Sequence, residues 1–248
     1  MTLRKRLVTL LTFHDGVLTR TKLFEPDYRY THNFVDAWQV DEIVALDVTR
    51  PGQGARANFL AVVGDIAGRC FVPLAAGGGV RALGDVEVLL RAGADKIVVN
   101  TGALDRPALI GEIARAYGSQ CAVVAIDARP KGEDYEVLAE FARRATGSTP
   151  EAWARQAEAE GAGEILITNV LRDGSLMGYD LALCRRVVDA VTIPVLVAGG
   201  AGNWQHFVDG IVEGGAEAVC TSNVYHFTEA SILSAKARMA AAGIAVRV

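Results

Sequence analysis

Eight short apolar runs recur along the chain, each followed by a segment in which apolar positions return every three or four residues. The runs lie at 6–12, 42–48, 72–76, 96–100, 122–127, 164–169, 195–198 and 218–222. Rich in β-branched residues and nearly free of polar alternation, they predict strands covered on both faces. The segments of helical period lie at 33–39, 58–67, 82–92, 106–117, 150–160, 182–190, 203–214 and 228–241. A strand-then-helix unit repeated eight times implies parallel strands. The fifth run, Ala-Val-Val-Ala-Ile-Asp at 122–127, ends in a single carboxylate. Asp127 is therefore the leading candidate for chemistry, with a helix cap or loop-ordering carboxylate as the plain alternative.

The two halves resemble each other. Gly-Ala-Asp-Lys-Ile-Val-Val-Asn-Thr at 93–101 returns as Gly-Ala-Glu-Ala-Val-Cys-Thr-Ser-Asn at 215–223, an offset of 122. Glu-Ile-Val-Ala-Leu-Asp at 42–47 returns as Glu-Ile-Leu-Ile-Thr-Asn at 164–169 with the same offset, and 73–79 is echoed at 194–200. Duplication near half the chain length predicts two four-unit halves, about 1–120 and 121–248, closing one (β/α)8 barrel of the TIM type over residues 1–248.

Composition agrees with that reading and removes other function classes. A chain of 248 residues, 51% apolar, fits a single α/β barrel of roughly 250 residues with a large core. A formal net charge of −4 offers no basic surface for nucleic acid. The four cysteines, Cys70, Cys121, Cys184 and Cys220, are widely spaced and read as buried free thiols in a reducing compartment. The apolar run after Arg4, Lys5 and Arg6 is too short for a secretion signal, and no later run approaches membrane-spanning length. A cytoplasmic protein with no membrane contact is expected, and neither a metal nor a cofactor is.

Two long connections, 13–32 and 128–147, follow the first and fifth strands at equivalent places in the two halves. At the catalytic end of a barrel they would form lids. In the second, Tyr135, Val137, Ala139 and Phe141 alternate with mostly polar neighbours and suggest one arm of a hairpin.

Gly77-Gly78-Gly79 follows the third strand, with Asn100 and Thr101 at the end of the fourth; Gly199-Gly200-Ala201-Gly202 follows the seventh, with Ser222 and Asn223 at the end of the eighth. Glycines let backbone approach an anion, and helix N-termini supply donors. Two such cradles at symmetric positions predict an elongated small ligand with a phosphate at each end.

Arg6, Glu42, Lys96 and Glu164 each stand at the start of a buried strand. Pointing inward, they would form a ring of two positive and two negative charges at the N-terminal mouth. Such a ring is either a salt-bridged plug that closes the floor or a gate beside a docking surface.

These residues, with Asp-Glu-Ile-Val-Ala-Leu-Asp (41–47), Gly-Gly-Gly-Val (77–80), Val-Val-Ala-Ile-Asp-Ala (123–128), Arg-Asp-Gly (172–174), Gly-Tyr-Asp (178–180) and His-Phe (226–227), resemble the cyclase subunit of imidazole glycerol phosphate synthase over nearly the whole chain. The resemblance implies a class I glutaminase partner docked at the N-terminal face of the barrel. Ammonia would then pass through the barrel to a bisphosphorylated ribulosyl formimino carboxamide, yielding imidazole glycerol phosphate and an aminoimidazole carboxamide ribotide. It implies that Asp127 is the catalytic carboxylate of the fifth strand, that Asn100, Thr101, Asp173 and Gly174 contact substrate, that the Gly77 and Gly199 loops hold the phosphates, and that Arg6, Glu42, Lys96 and Glu164 are the ammonia gate. No cysteine here lies in a Gly-x-Cys-x-Gly turn, so the chain would draw nitrogen from a partner or from free ammonium.

The first strand departs from the family. Where the family reads Cys-Leu-Asp-Val-Lys-Asp-Gly, with a second catalytic carboxylate, residues 10–16 read Leu-Leu-Thr-Phe-His-Asp-Gly. Thr12 replaces the carboxylate, and a hydroxyl has no accessible pKa near neutrality. His14 shares strand parity with Thr12 and is the candidate substitute. Phe141 and Ala145 stand where the family tends to have polar substrate contacts. The same pattern is similar to a divergent branch that lacks the first-strand carboxylate and channels ammonia, with a glutaminase and a third enzyme, for amidination of a sugar in surface-polysaccharide assembly. That branch is the alternative expectation, with cyclase activity weak or absent.

Overall fold

The computed structural model describes residues 4–29, 40–222 and 231–247, with the side chains of 25–29 and 231 excluded. The helix expected at 33–39, the candidate Asn223 and the His-Phe pair at 226–227 lie outside the described residues.

The strands in chain order are β1 (Arg6–His14), β2 (Val17–Lys22), β3 (Glu25–Arg29), β4 (Glu42–Asp47), β5 (Leu74–Gly77), β6 (Lys96–Val99), β7 (Ala122–Lys131), β8 (Asp134–Ala139), β9 (Arg144–Ala145), β10 (Glu164–Asn169), β11 (Val195–Ala198) and β12 (Ala218–Thr221). The helices are α1 (Arg56–Arg69), α2 (Leu83–Arg91), α3 (Thr101–Asp105), α4 (Ala108–Tyr117), α5 (Pro150–Glu160), α6 (Leu181–Val188), α7 (Trp204–Val212) and α8 (Ser231–Ala241). β1, β4, β5, β6, β7, β10, β11 and β12 pair in parallel in that order, and pairing of β12 with β1 closes the circle. This is a (β/α)8 barrel. None of the described helices is long and apolar enough to cross a membrane.

Strand pleating divides the apolar residues into two layers. One side of each strand packs outward on the helices, where Leu7, Phe13, Ile43 and Ile97 meet Phe59, Ile66, Leu89, Ile113 and Phe207. The other fills the barrel with smaller groups, among them Val8, Val44, Ala75, Val98, Val123, Leu166, Leu196 and Ala218. Buried β-branched and small residues therefore occupy both faces, which is why the strands read as unbroken apolar runs.

The duplication is visible in the hydrogen-bond register. Thr12 pairs with Leu46, and Asp127 pairs with Thr168. Leu46 and Thr168 are related by the offset of 122 that relates the halves, so Thr12 and Asp127 occupy equivalent places.

The long connections are hairpins. β1 runs past Thr12 to His14 and pairs antiparallel with β2, while β7 runs past Asp127 to Lys131 and pairs antiparallel with β8. Beyond the rim neither strand has a barrel neighbour, and the returning chain satisfies its backbone groups instead. The alternation read at Tyr135, Val137 and Ala139 belongs to β8, but Phe141 does not, because residues 140–142 turn in left-handed backbone. The third barrel strand begins at Leu74 and ends at Gly77, two residues later than its apolar run suggests at the start and one later at the end.

A buried pair ties α8 to the barrel floor. Lys236 Nζ donates to Asp41 Oδ1 at 2.9 Å with both side chains under a tenth exposed, and Leu7 N donates to Asp41 Oδ2 at 2.8 Å. Asp41→Ala leaves a buried ammonium and a backbone donor unpaired. The expected loss is about 3–5 kcal/mol, as for other broken buried pairs, read from urea unfolding midpoints; a loss under about 1 kcal/mol would contradict this account.

Candidate active site

A cavity of about 710 Å3 opens at the C-terminal ends of the barrel strands. Thr12, Asn100, Thr101, Asp127, Asp173, Gly174, Ser222, Gly78–Gly79 and Gly199–Gly200 all line it. The two glycine loops occupy opposite halves of the duplicated barrel. Gly78 and Gly200 have φ of +109° and +101°, and a Cβ on either would lie 2.3 Å from the Asp47 carbonyl or 2.2 Å from the Gly178 carbonyl. Only glycine permits both that backbone and that approach.

Two expected site residues lie elsewhere. Gly77 is buried in β5 and does not line the cavity; a Cβ there would sit 2.6 Å from the Val98 carbonyl, so its role is close strand packing. His14 is also outside the lining, with Nε2 3.4 Å from Gln53 Oε1. At His14 the strand has left the barrel wall and pairs with Val17, so strand parity no longer aims its ring into the barrel.

Asp127 stands partly buried at the top of the barrel interior, where it lines the cavity. Burial, reinforced by the negative charge of Asp173, raises its pKa to about 7 against the opposing hydrogen bond from Asn100. Asn100 Nδ2 donates to Asp127 Oδ2 at 2.6 Å, while Asn100 Oδ1 is buried without a partner. Asp173 is raised by burial too, although Phe24 N at 3.0 Å and Thr21 Oγ1 at 3.2 Å donate to it; its carboxylate anchors the β2–β3 hairpin at the cavity rim. The Thr12 hydroxyl donates to the Thr19 carbonyl of β2, which leaves only its lone pairs to the cavity.

At the opposite end, Arg6, Glu42, Lys96 and Glu164 form a closed cycle of alternating charge. Arg6 lies 2.6 Å from Glu42 and 2.8 Å from Glu164, and Lys96 lies 2.9 Å from each. Glu42 is only 1% exposed, so its charge is held by these two cations. Burial opposes the Arg6 charge, but the attraction of Glu164 and Glu42 prevails and raises its pKa. Between the ring and Asp127 lie the apolar side chains of the barrel interior.

Residues 12–231 match the family described as histidine biosynthesis protein. The chain belongs to that family. It is 47% identical over 212 residues to the imidazole glycerol phosphate synthase subunit HisF of Hyphomonas neptunium (strain ATCC 15444), a match spanning 86% of this chain and 84% of that relative.

This histidine biosynthesis barrel also carries lining residues that sequence reading did not single out. Arg50, Arg81 and Arg143 enter the cavity from the loops after β4, β5 and β8. No periodicity marks a loop arginine, and only the tertiary fold brings the three to one rim. Asp47 is another; it ties Arg56 at 3.0 Å and accepts from Thr49 N at 3.0 Å, ordering the loop beneath Arg50.

Proposed function

We propose that the chain is the cyclase subunit of an imidazole glycerol phosphate synthase. A glutaminase of the class I amidotransferase type would dock on the N-terminal face, and ammonia would pass the charge ring and the apolar interior to a bisphosphorylated ribulosyl formimino carboxamide. The observation that carries the reading is Asp127, a carboxyl titrating near neutrality in a cavity that has a glycine cradle at either side and a charge ring beneath it.

A group with a pKa near 7 is present in both forms at neutral pH and can act as acid and base in turn. Ammonia adds to the ketose carbonyl, and protonated Asp127 gives its proton to the oxygen that departs as water. The carboxylate takes a proton back from the resulting iminium nitrogen; as the imine closes on the formimino carbon, its N–H proton and one from the adjacent methylene pass by way of Asp127 to the ribotide nitrogen, which leaves as the amine while the ring becomes aromatic. Asn100, through its hydrogen bond to Oδ2, holds Asp127 in place. The test is turnover of the bisphosphorylated substrate with ammonium salt alone; no imidazole glycerol phosphate from folded protein at high ammonium would refute the reading.

The ring supplies a second test. Glu164→Gln removes one of the two anions that hold Arg6 and Lys96, so those cations lose a fixed partner and the opening at the floor changes. Glutamine-driven turnover with the glutaminase is expected to fall about tenfold or more, of the size of one charge-assisted contact, while ammonium-driven turnover stays within about twofold. Equal effects on both would remove the ring from the ammonia path.

A second reading rests on one observation, the engaged hydroxyl of Thr12. With no acid or base at position 12, the barrel would serve a glutaminase as a conduit and pass ammonia to an enzyme that amidinates a sugar. Amidinated product with no imidazole glycerol phosphate would favour it.

A further inference from the structure

The duplication gives the two glycine loops equivalent supports of different chemistry. The register that carries 73–79 onto 194–200 also carries Arg81, Ala82 and Asp85 onto Gly202, Asn203 and His206, an offset of 206 − 85 = 121. Asp85 and His206 each stand third in their helices, α2 and α7. Both turn back to take a backbone N–H of the preceding loop. Asp85 Oδ2 accepts from Arg81 N at 2.9 Å and Ala82 N at 3.0 Å, and His206 Nδ1 accepts from Gly202 N at 3.0 Å. A carboxylate is favoured there, because it satisfies orphan donors and suits the positive end of the helix. An imidazole gives up that charge.

Local charge explains the exchange. The Gly78 loop leads into Arg81, which lines the cavity, but the equivalent place after Gly199 is Gly202. Asp173 also lines the cavity, and a Cβ on Gly199 would lie 3.7 Å from its backbone nitrogen. A further carboxylate on that side would oppose an anion held by the loop. Neutral imidazole fixes the same N–H without the charge. The ring packs on the neighbouring loop too, since a Cβ on Gly178 would lie 3.3 Å from His206 Cδ2, and Gly178 N donates to the Gly200 carbonyl at 2.7 Å. His206 thus touches both walls of the Gly199 loop.

Two donors flank the ring. Gly202 N faces Nδ1, and Asn203 Nδ2 lies 3.2 Å from Nε2, the Asn203 oxygen being taken by Gln205 N and His206 N. Neutral imidazole accepts at one nitrogen and imidazolium at neither, whereas a carboxyl keeps acceptor oxygens in either charge state. The charged groups on the elements packed here are Arg172 and Asp173 of the loop after β10, Asp209 of α7 and Arg238 of α8. Arg172 donates to the Met177 carbonyl at 3.3 Å, and Gln205 binds Asp209 at 2.8 Å and also Arg238. We infer that His206 is a positioning residue of the Gly199 loop that holds Gly202 only as neutral imidazole. The grip on an anion at this end, and not at the Gly78 end, then weakens as histidine charges between about pH 8 and pH 5.5. This role rests on the cyclase reading, in which the Gly199 loop holds a phosphate.

Sulfate, a dianion throughout that range, is the probe, and the amide 1H–15N shifts of Gly78 and Gly200 report the two loops separately. Asp127 titrates near 7, and its neutralisation tightens anion binding, the opposite sign. The effect of pH is therefore measured against His206→Asn, whose amide oxygen can stand in for Nδ1 and does not titrate. At Gly200, sulfate affinity relative to that variant should fall about tenfold from pH 8 to pH 5.5, the size of one neutral hydrogen bond. At Gly78 the two proteins should agree within about twofold. His206→Ala should bind weakly at Gly200 at both pH values. Equal affinities of the unaltered and Asn proteins at pH 5.5, or equal losses at both loops, would overturn the role of His206 and leave the phosphate loop standing. No sulfate at Gly200 at any pH would overturn loop and role together. The expected pH effect in a protein that never forms imidazole glycerol phosphate would overturn the cyclase reading and leave His206 in its role.

Discussion

Asp127→Asn should lower ammonium-driven turnover by about 10^3-fold or more while making the protein more stable at pH 8. The first effect follows from the loss of the carboxyl that, among the described residues, stands within the barrel mouth with its pKa near neutrality; general acid and base steps contribute about 10^2–10^4-fold, and a single group serving both loses both. The second follows from linkage. A carboxyl with a pKa near 3.9 in the unfolded chain and about 7 in the folded protein binds its proton more tightly when folded. Its contribution is fully present below pH 4 and is lost as the pH rises through 7, an amount of order 4 kcal/mol. Asparagine keeps the shape and can accept from Asn100 but never ionises, so it avoids that loss. The variant should melt above the unaltered protein at pH 8 and level with it at pH 4. Turnover above a tenth of the original rate would sink the catalytic assignment, and equal melting at pH 8 would sink the burial argument.

Thr12→Asp is expected to raise ammonium-driven turnover, by about 10^2-fold if the missing carboxylate is what limits the rate. Position 12 is the register equivalent of Asp127, lines the same cavity and holds a side chain close to aspartate in size. The Thr19 carbonyl that now accepts from the Thr12 hydroxyl would accept from a protonated carboxyl, favouring the neutral acid at that place. Two carboxyls with environments that separate their pKa values would then share the work. Thr12→Asn, which cannot transfer a proton, is the control and should give no gain. Unchanged or lower turnover with Thr12→Asp, in a protein of unaltered melting temperature, would mean that one carboxyl suffices or that the barrel has another task.

The elements that read most clearly are those in which one physical rule acts alone. Strands buried on both faces have nowhere for a polar residue, so the runs around Val44, Val98, Val124 and Leu166 were legible without structure. A charge at the start of such a run stands out for the same reason, and Arg6, Glu42, Lys96 and Glu164 do form the cycle that their positions suggested. Reading failed where two rules compete. Strand parity aimed His14 at the barrel, but the hairpin took the strand away from the wall. The glycine run suggested three anion-facing residues, but Gly77 is consumed by close packing against Val98. Phe141 extended an alternating pattern, but a left-handed turn intervened.

The sequence by itself determined the barrel, its duplication and the charge ring, because apolar periodicity and repeat offsets are properties of the chain and survive without contacts. Only the tertiary structure decided what the site holds. It buried Asp127 far enough to lift its pKa to about 7, turned the Thr12 hydroxyl onto a neighbouring strand, and gathered Arg50, Arg81 and Arg143 from loops after three different strands. Desolvation, hydrogen-bond direction and the meeting of distant loops depend on atoms far apart in the chain, and no local pattern records them.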